Sequence, residues 1–476
     1  MSKTNRIIPG YYEYPLIFFK FLTLFFKFGR NGFFSIILNL NILTKKQKFL
    51  VNALKIILEK KFLNFDFVKD LAKLGPGFVK LGQALSTRPD IFGTHVTNKL
   101  IFLQDDLDPF SSDVAINIIE NELDTKINKV FSYFDPVPIA AASVAQVHKG
   151  VLKNGQKVAI KILRPSIENK LFGDFKFFYG LSSILEFMSI KCKKLNLKEV
   201  VRTFAESSFN EVDLRLEASQ GEQLRENFLN DEYFNTPKIF WDLTSKNILV
   251  TEFVNGLRID QIKTLKNKID INKTTKKASQ IFFNQVFRDG FFHADLHPGN
   301  IFIDVYGKIT AVDYGIMGRL TLEDRKFLSK LFNLLLEKKF YDVALLHKEN
   351  GMLNPKTDLN ELALQIRILT IPILDKPIGE ISMGNLFGEI LSLSQRFNIK
   401  IQTKFCLLQK AMVMAEGIAR QINPKANMWK MMEPLMEQWV KENYLISEML
   451  FELIRKNKTI HKIFLQMYQK LELIFK

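Results

Sequence analysis

The sequence predicts an α+β fold, in which a block of short strands lies between longer helical stretches. Residues 129–161 alternate apolar and polar side chains around Asn154-Gly155, which is typical of a tight β-hairpin. Residues 301–304 and 308–312 are rich in β-branched side chains and flank a second turn, Val305-Tyr306-Gly307. Helical periodicity covers much of the rest, namely residues 45–74, 112–126, 196–230, 272–290, 322–339, 341–349 and 407–421.

Bulk composition narrows the class of protein. A chain of 476 residues and 55.2 kDa holds two or three domains, or one large domain with extensions. The formal charge of +17 suits an anionic partner such as acidic lipid, nucleic acid or nucleotide, although a lysine-rich genome bias gives the same excess. Cys192 and Cys406 are too few for a disulfide framework or a zinc cluster, and they favour a reducing compartment.

The sequence gives no sign of a membrane-spanning or secreted segment. No uncharged apolar run reaches the ~18 residues that a spanning helix needs. Lys20 interrupts the N-terminal apolar run, and no small-residue cleavage site follows it. We therefore expect neither a transmembrane helix nor a secretory signal.

The most specific chemistry surrounds the second hairpin. Asn300 follows Asp295 by five residues just before the hairpin, and Asp313-Tyr314-Gly315 follows it. This order is how a protein-kinase-like fold holds magnesium and the terminal phosphate of ATP. Carboxylate and amide oxygens are hard ligands for Mg²⁺, and a second carboxylate can orient or deprotonate the phosphoryl acceptor. A solvated acidic loop beside an unrelated turn is the alternative, but two motifs in order, joined by a hairpin, favour the nucleotide site.

The first hairpin carries a second nucleotide-binding signature. Val158-Ala159-Ile160-Lys161 matches the strand motif whose lysine pairs with the α and β phosphates, although taken alone it is more typical of an ordinary strand ending in a surface lysine. A kinase has a glycine-rich loop in the preceding turn, whereas this chain has an alanine-rich run. Backbone amides there could still cradle phosphate, but Cβ atoms restrict the approach of the loop. The run comprises Ala140, Ala141, Ala142, Ser143 and Val144.

Two further stretches fit a nucleotide site. The apolar strand from Asn247 ends in a polar segment with Glu252 and Val254, as at a hinge where an adenine ring rests on backbone groups. The charged helix predicted over 196–230 offers carboxylates of which one would pair with Lys161, although each also fits plain helix surface. These carboxylates are Glu211, Asp213 and Glu217.

The N-terminal part contains two unusual helical patterns. Residues 14–41 combine a wide apolar surface with a narrow stripe, Lys20, Thr23, Lys27 and Arg30. That pattern fits a helix in a membrane interface, and equally one packed on the protein with a solvated lysine edge. Residues 75–90 begin with Gly-Pro-Gly and place Lys80, Gln83 and Thr87 on one face, and Gly82 indicates close approach to another element. Taken alone, these residues favour a polar helix face over a binding site.

Together these motifs resemble the UbiB family, also called the ABC1 or ADCK atypical kinases. The resemblance covers roughly residues 65–440. It is carried by Lys80-Leu-Gly82-Gln83, the alanine-rich loop, Val-Ala-Ile-Lys161, Glu211-Val-Asp213, Glu217, His293-Ala-Asp295-Leu-His-Pro-Gly-Asn300, Asp313-Tyr-Gly315 and the helix 407–421 with Asn423-Pro424. The Lys-x-Gly-Gln and Glu-x-Asp motifs, with alanine in the phosphate loop, separate this family from ordinary kinases.

The resemblance implies a two-lobed protein-kinase-like fold with ATP and Mg²⁺ as cofactors. The small lobe would be β-rich, the large lobe helical, and an N-terminal helical extension would cover the peptide-substrate region. Lys80 and Gln83 would reach the active site near Glu211 and Asp213. The remaining roles would be Lys161 with Glu217 at the α and β phosphates, Asp295 as the catalytic Asp, and Asn300 and Asp313 as magnesium ligands.

The family also implies a biological setting, namely ubiquinone biosynthesis at the cytoplasmic face of the inner membrane, with peripheral attachment. Polyprenylphenol-type lipid, anionic lipid and ubiquinone-pathway enzymes would be the partners, with no nucleic acid.

Ala294 stands where protein kinases usually have Arg, and no Ala-Pro-Glu or long activation loop follows Gly315. These departures disfavour protein substrates. No Rossmann glycine motif or iron triad supports direct hydroxylation, although an accessory role in 6-hydroxylation of a polyprenylphenol fits the family.

Three hypotheses follow, namely an ATPase that makes polyprenyl intermediates available, a true kinase for a small molecule or protein, and a nucleotide-binding scaffold.

The chain divides into five predicted segments. These are an amphipathic segment 1–44, a helical extension 45–126, a kinase-like N-lobe 127–256, a kinase-like C-lobe 257–440 and a basic amphipathic tail 441–476. The tail is interrupted by charge, whereas many bacterial relatives end in spanning helices, so membrane attachment would rest on the N-terminal segment, the tail or a partner.

Overall fold

The computed structural model describes most of the chain between residues 6 and 440. The described residues are 6–30, 49, 51–53, 55, 74–86, 108–188, 193, 196–264, 269–374, 382–397, 399, 402–424 and 428–440. Most of the predicted helix 45–74, the stretch with Thr87, the side chain of Gln83 and the tail 441–476 lie outside what is described.

Eleven strands occur in the described residues. In chain order they are β1 (Phe131–Phe134), β2 (Ala140–Ala141), β3 (Ala145–Leu152), β4 (Lys157–Leu163), β5 (Phe234–Asn235), β6 (Ile248–Glu252), β7 (Leu257–Arg258), β8 (Phe291–His293), β9 (Ile301–Ile303), β10 (Ile309–Ala311) and β11 (Met317–Arg319). Both predicted hairpins are confirmed: β3 pairs with β4, and β9 with β10, each antiparallel.

Helices make up most of the remaining described chain. They are α1 (Tyr14–Arg30), α2 (Pro76–Ser86), α3 (Ser112–Leu123), α4 (Ile127–Val130), α5 (Ile167–Met188), α6 (Leu197–Glu211), α7 (Leu214–Asn227), α8 (Ile271–Phe283), α9 (Leu322–Leu336), α10 (Phe340–Glu349), α11 (Leu359–Leu374), α12 (Met383–Ser392), α13 (Ser394–Phe397), α14 (Thr403–Ile422) and α15 (Met428–Val440). The predicted α+β class is confirmed.

The chain separates into two compact units. The first unit comprises residues 1–226, 236–255 and 312–315, and the second comprises 227–235, 256–311 and 316–476. The five-segment division made from the sequence stays a prediction.

The first unit is built on a five-stranded antiparallel sheet. Its order is β1-β3-β4-β6, and β2 pairs with β3. Side chains alternate between the two faces of a strand, so Val158, Ile160 and Ile162 of β4 are buried together on one face, against Ala115 and Ile119 of α3. Lys161 therefore lies on the opposite face.

A second core in the first unit joins α5 to the helices around it. Leu171, Phe175 and Phe178 of α5 are buried with Phe209 of α6 and Phe78 of α2. Ring pairs such as Phe175–Phe209, with centroids 5.6 Å apart, make this core largely aromatic. Through this core, both α2 and α6 pack on α5.

The prediction of one continuous helix over 196–230 is wrong. The helix ends at Glu211, and a new one begins at Leu214 after Val212-Asp213. Asp213 acts as a start signal for α7, since its carboxylate accepts from the backbone N–H of Arg215 at 3.2 Å. The backbone N–H of Leu214 is held by Lys246 O at 3.0 Å, which turns the chain at this point.

The second unit contains two small sheets and the helices α8 to α15. One sheet has the order β5-β10-β9-β7, with β5 and β10 parallel, and the other pairs β8 with β11. In the β9–β10 hairpin Ile301 lies opposite Ala311, so the two chain ends of the hairpin lie side by side. Gly307 makes the turn with φ +80°, where glycine is favoured.

Helix α1 packs on the first unit by one face only. Ile17 is buried, and Phe21 and Leu24 are partly buried against the α5 core. Leu16 and Phe19, on another face, are 69 and 66 % exposed. The packed face agrees with the interpretation of a helix packed on the protein, and the membrane-interface interpretation stays a prediction. In the described part of the chain, we find no helix with the length and apolar character needed to cross a bilayer.

Candidate nucleotide site

Lys161 lies at the centre of a charged cluster in the first unit. Its Nζ contacts both carboxylate oxygens of Glu217 on α7, at 2.7 and 2.8 Å. The same Nζ lies 3.2 Å from Asp313 Oδ1. The structure therefore brings the predicted lysine, its predicted helical partner and the predicted metal ligand Asp313 together.

This cluster holds one more negative than positive charge. The pKa of Glu217 is raised to about 7, chiefly by burial and also by the charge of Asp313, although Lys161 opposes the rise. Burial lowers the pKa of Lys161, but the carboxylates of Asp313 and Glu217 outweigh burial and raise it above the ordinary lysine value. The Asp313 carboxylate contributes to both shifts, because it repels the Glu217 carboxylate and stabilises the Lys161 ammonium.

The Asp313 backbone is held in an uncommon conformation. Asp313 has φ +62°, a left-handed conformation in which Asp and Asn are enriched among non-glycine residues. The next residue, Tyr314, is 2 % exposed, and its ring packs directly on Gly221 of α7, where an added Cβ would come within 2.5 Å of the ring. The backbone N–H of Tyr314 also donates to Glu217. The Asp313 turn is therefore seated on the helix that carries Glu217.

The alanine-rich loop forms a tight turn between β2 and β3. The N–H of Ala142 donates to Ala145 O at 2.8 Å, and Arg164 Nε donates to Ala142 O at 2.8 Å. Ser143 is fully buried, and its hydroxyl has no hydrogen-bond partner among the described residues. A buried hydroxyl without a partner is costly, and contact of Ser143 with a nucleotide stays a prediction.

Hydrogen bonds of Gln146 and His148, on the strand that follows the loop, also stabilise this region. Gln146 Nε2 donates to Phe110 O at 3.2 Å, and Gln146 Oε1 accepts from the N–H of Phe110 at 3.0 Å. His148 Nδ1 lies 2.8 Å from Asp135 O and its Nε2 lies 2.8 Å from Gln146 Nε2. Burial lowers the pKa of His148, so a neutral ring completes this network.

The predicted hinge residues lie at the end of β6. The N–H of Glu252 donates to Lys238 O at 2.9 Å, so this group is already bonded within the first unit. Glu252 is exposed and Val254 is half-buried just beyond the strand. Their role toward an adenine ring stays a prediction.

A second lysine–glutamate pair lies at the end of α6. Lys80 of α2 is 7 % exposed and its Nζ is paired with Glu211, the last residue of α6. Asp213, two residues on, makes a two-point ion pair with Arg215, with contacts of 2.9 and 2.7 Å. Gly82 is buried on α2, in line with the close approach expected of it.

The start of α2 is held by a residue that the sequence gave no reason to select. Asp174 of α5 accepts from the N–H of Gly77 at 3.0 Å, and it is 9 % exposed. A Cβ on Gly77 would lie 2.5 Å from the Asp174 side chain, so glycine is needed there. Burial raises the pKa of Asp174, and the Gly77 N–H opposes that rise. Asp174 thereby fixes the helix that carries Lys80.

The second unit carries the loop between β8 and β9. The N–H of Asp295 donates to His293 Nδ1 at 3.1 Å, and Asn300 Nδ2 donates to Asp295 O at 3.4 Å. His293 is buried, and its own N–H donates to Gln285 Oε1 at 3.0 Å. The Asp295 carboxylate pairs with Lys410 of α14, with Nζ 2.8 Å from Oδ1.

Asp313 in the first unit suits a ligand of a magnesium ion bound with a nucleotide. Mg²⁺ is usually held by one or two protein oxygens together with phosphate oxygens and water. Asp313 supplies a carboxylate that is 47 % exposed, in a cluster with surplus negative charge. Asn300, in the second unit, donates its Nδ2 to Asp295 O, and its role as a magnesium ligand stays a prediction. No group of three or more acidic, His or Cys side chains suited to a metal occurs in the described ranges.

Comparisons with known proteins identify the family of the chain. Residues 102–347 match the ABC1 atypical kinase-like domain, and residues 366–427 match the UbiB helical domain. The chain is 39 % identical over 377 residues to a probable protein kinase UbiB of Marinobacter nauticus, covering 78 % of this chain and 69 % of that protein. It is 36 % identical over 385 residues to the Pseudomonas paraeruginosa protein of the same name, covering 80 and 72 %.

A solved structure gives a weaker likeness. The Mycobacterium tuberculosis protein Rv3197, determined with erythromycin, has a TM-score of 0.47 and 22 % identity, covering 74 % of this chain and 90 % of that one. The assignment rests on the sequence matches instead. They confirm the predicted kinase-like fold, and they define an atypical kinase-like protein. The chain belongs to the UbiB family.

Proposed function

We propose that this protein binds ATP with Mg²⁺ and hydrolyses it in support of ubiquinone biosynthesis. The observation that carries the proposal is Lys161, held at 2.7 to 3.2 Å between Glu217 and Asp313. A lysine fixed by a helical glutamate beside an Asp-aromatic-Gly turn is the arrangement by which kinase-like folds bind α and β phosphates.

The chain's own residues would divide the work between orientation and charge. Lys161 neutralises the α and β phosphates, and Ser143 offers its buried hydroxyl to a phosphate oxygen. Asp313 and Asn300 would be the ligands of the metal, which would shield the phosphate charges. Asp295 orients the attacking water or hydroxyl and accepts its proton. Lys80 and Gln83 stand in the extension, in the region where a peptide substrate would bind.

The setting of this activity is the membrane. Family membership supports a role in ubiquinone biosynthesis, with polyprenylphenol-type lipid made available to pathway enzymes at the cytoplasmic face of the inner membrane. Helix α1 supports peripheral attachment, because Leu16 and Phe19 are exposed. Lys20 Nζ of α1 lies 5.9 Å from the ring centroid of Phe78 on α2. Phe78 is two residues before Lys80, so binding of anionic lipid to α1 would alter the surroundings of α2.

The test is magnesium-dependent ATP turnover by the purified protein, with and without cardiolipin-containing liposomes. Turnover that is stimulated by lipid and lost in Asp313→Asn would support the proposal. Replacing both Leu16 and Phe19 by Gln should remove the stimulation and leave basal turnover intact. The matched control replaces Leu364 and Ile368, which are 53 and 54 % exposed on α11. Indifference to liposomes and to a phenolic lipid mimic would contradict the membrane role.

Phosphoryl transfer to a small molecule or protein is the second candidate. The observation that favours it is the Asp295 side chain, which is 36 % exposed and could accept a proton from a substrate hydroxyl. Labelled γ-phosphate would then appear on a defined acceptor and would disappear with Asp295→Asn. ATP binding without turnover or transfer, together with normal ubiquinone levels in an Asp313→Asn strain, would instead indicate a scaffold.

A further inference from the structure

Helix α14 contributes a charged side chain to the loop that carries Asp295. It lies in the segment that matches the UbiB helical domain, outside residues 102–347 of the kinase-like match. Lys410 Nζ lies 2.8 Å from Asp295 Oδ1, across 115 residues of sequence. The two side chains are 31 and 36 % exposed, so the pair remains within reach of a ligand.

The position of Lys410 is fixed by contacts on both sides of it along α14. Six residues earlier, Lys404 Nζ lies 2.6 Å from Asp324 Oδ2 of α9. Six residues later, buried Glu416 accepts from the N–H of Gly384 at 3.1 Å, at the start of α12. Leu408 and Ala411, which flank Lys410, are fully buried. The ammonium therefore projects from a helix that is held at both ends.

Hydrogen bonds within the loop are made by the backbone N–H and carbonyl of Asp295, whereas the bond to its carboxylate comes from outside the loop. The N–H of Asp295 is used by His293 and its carbonyl by Asn300. His297, two residues after Asp295, accepts from the N–H of Gly299 at 3.1 Å, so its ring is used within the loop. Among the described residues, the hydrogen bond that the Asp295 carboxylate receives comes from Lys410.

We propose that Lys410 is a positioning residue for Asp295, and that its ammonium adds positive charge for the γ-phosphate on which Asp295 acts. Phosphoryl transfer depends on positioning and on electrostatic stabilisation of the phosphoryl oxygens, which a fixed ammonium beside the catalytic carboxylate would provide. The inference rests on the proposed function, and it gives the helical domain a part in the chemistry.

The test compares steady-state ATP turnover of the wild-type protein with Lys410→Gln and Lys410→Arg. We expect Lys410→Gln to lower kcat about 10- to 100-fold and to raise KM for ATP by no more than about 5-fold, because most of the lost interaction acts on the reacting group. Arginine keeps the charge and should restore at least part of kcat.

Two further variants separate positioning from general damage to α14. Lys404→Gln removes an ion pair on the same helix, away from Asp295, and should retain at least half of wild-type turnover. Adding Lys410→Gln to Asp295→Asn should cause no further loss, because both changes disable one unit. The proposal would be overturned if Lys410→Gln kept the wild-type kcat, or if Lys410→Gln and Lys404→Gln lost turnover equally. It would also be overturned if the losses from Lys410→Gln and Asp295→Asn multiplied in the double variant.

Nucleotide binding decides the inference separately from the proposed function. Calorimetric titration with MgATP and MgADP should show a loss of affinity for ATP over ADP in Lys410→Gln of about 5-fold, and none in Lys404→Gln, since ADP lacks the γ-phosphate. If the wild-type protein binds both nucleotides but turns over neither, the proposed function has failed, and this affinity ratio alone judges Lys410. An unchanged ratio would then overturn its role.

Discussion

The two charged clusters of this protein balance their charges differently. In the first unit, one ammonium, Lys161, contacts two carboxylates, Glu217 and Asp313. In the second unit, Asp295 and Lys410 form a one-to-one pair among the described residues. The first cluster therefore has a surplus negative charge that a divalent cation would offset, whereas the second is neutral as it stands. Similar residue types thus suit metal binding in one place and orientation of a reactant in the other.

The largest effect should come from removing the surplus charge at Asp313. We expect Asp313→Asn to reduce magnesium-dependent ATP turnover about 100-fold or more, because a metal ligand is lost. The metal-free protein should be no less stable than wild type, because one of two competing carboxylates has gone and Asn also tolerates the left-handed backbone. Turnover assays and thermal unfolding in EDTA measure the two parts.

Alanine at the same position is the matched control. Asp313→Ala removes the same charge but places a residue less suited to φ +62°, at a cost of about 1 kcal/mol. It should therefore be less stable than Asp313→Asn. A marked loss of metal-free stability in Asp313→Asn itself would contradict the idea of surplus charge.

The next effect should come from the packing under the first cluster. Gly221→Val puts a side chain where Tyr314 packs, which should cost about 1–3 kcal/mol of stability through overpacking. Displacing Tyr314 also displaces Asp313, so turnover should fall about 10- to 100-fold. Gly173→Val is the control, because an added Cβ meets no atom within 4 Å there. Equal behaviour of the two variants would show that the Asp313 turn does not depend on α7.

The pH dependence of stability should report the surplus charge directly. Because the pKa of Glu217 is raised to about 7, its contribution to stability is present below its ordinary pKa and is lost as the pH rises through about 7. Lys161, with a raised pKa, loses its contribution only at more alkaline pH. Between pH 5.5 and 8.5, wild type should therefore lose stability relative to Glu217→Gln, as measured by thermal unfolding in EDTA.

Magnesium with ATP, or the Asp313→Asn change, should flatten that difference, since each removes the surplus. A difference between wild type and Glu217→Gln that stays constant across this pH range would show that the cluster carries no excess proton.

The smallest effect should come from the phosphate loop. Ala142→Gly frees a turn that is held by Ala145 O and Arg164, and glycine conformational freedom is worth about 0.5–1 kcal/mol, or about 2- to 5-fold in nucleotide preference or activity. Ala140→Gly should change less, because Ala140 is paired with Val147 in the sheet. ATP and ADP affinities and autophosphorylation measure both, and unchanged values in both variants would contradict a role for the alanines.

Local sequence motifs predicted most of the first cluster. Lys161 and Asp313 were recognisable because their motifs are contiguous and lie beside hairpins that Asn154-Gly155 and Gly307 mark clearly. The interruption of the helix at Val212-Asp213 was not predicted, because the charged residues on both sides of it continue the helical periodicity. Asp213 carried the signal all the same, since Asp is a preferred residue at helix starts.

Contacts between distant residues could not be predicted from one sequence. Lys410 looks like one more lysine on an amphipathic helix, and its partner is 115 residues away. Asp174 and Gly221 are similar cases, because the need for a carboxylate under Gly77 or for a small residue under Tyr314 exists only after the helices have packed. Tertiary packing, and no local rule, decides these residues.

The anchoring of α14 also bears on how the gene product can be shortened. The match to the kinase-like domain ends at residue 347, which would be the natural place to cut the protein for expression. A chain that stops there would lack Lys410 beside Asp295 and Lys404 beside Asp324. The smallest fragment that keeps both contacts must extend through Ile422, so the two matched domains should be expressed as one piece.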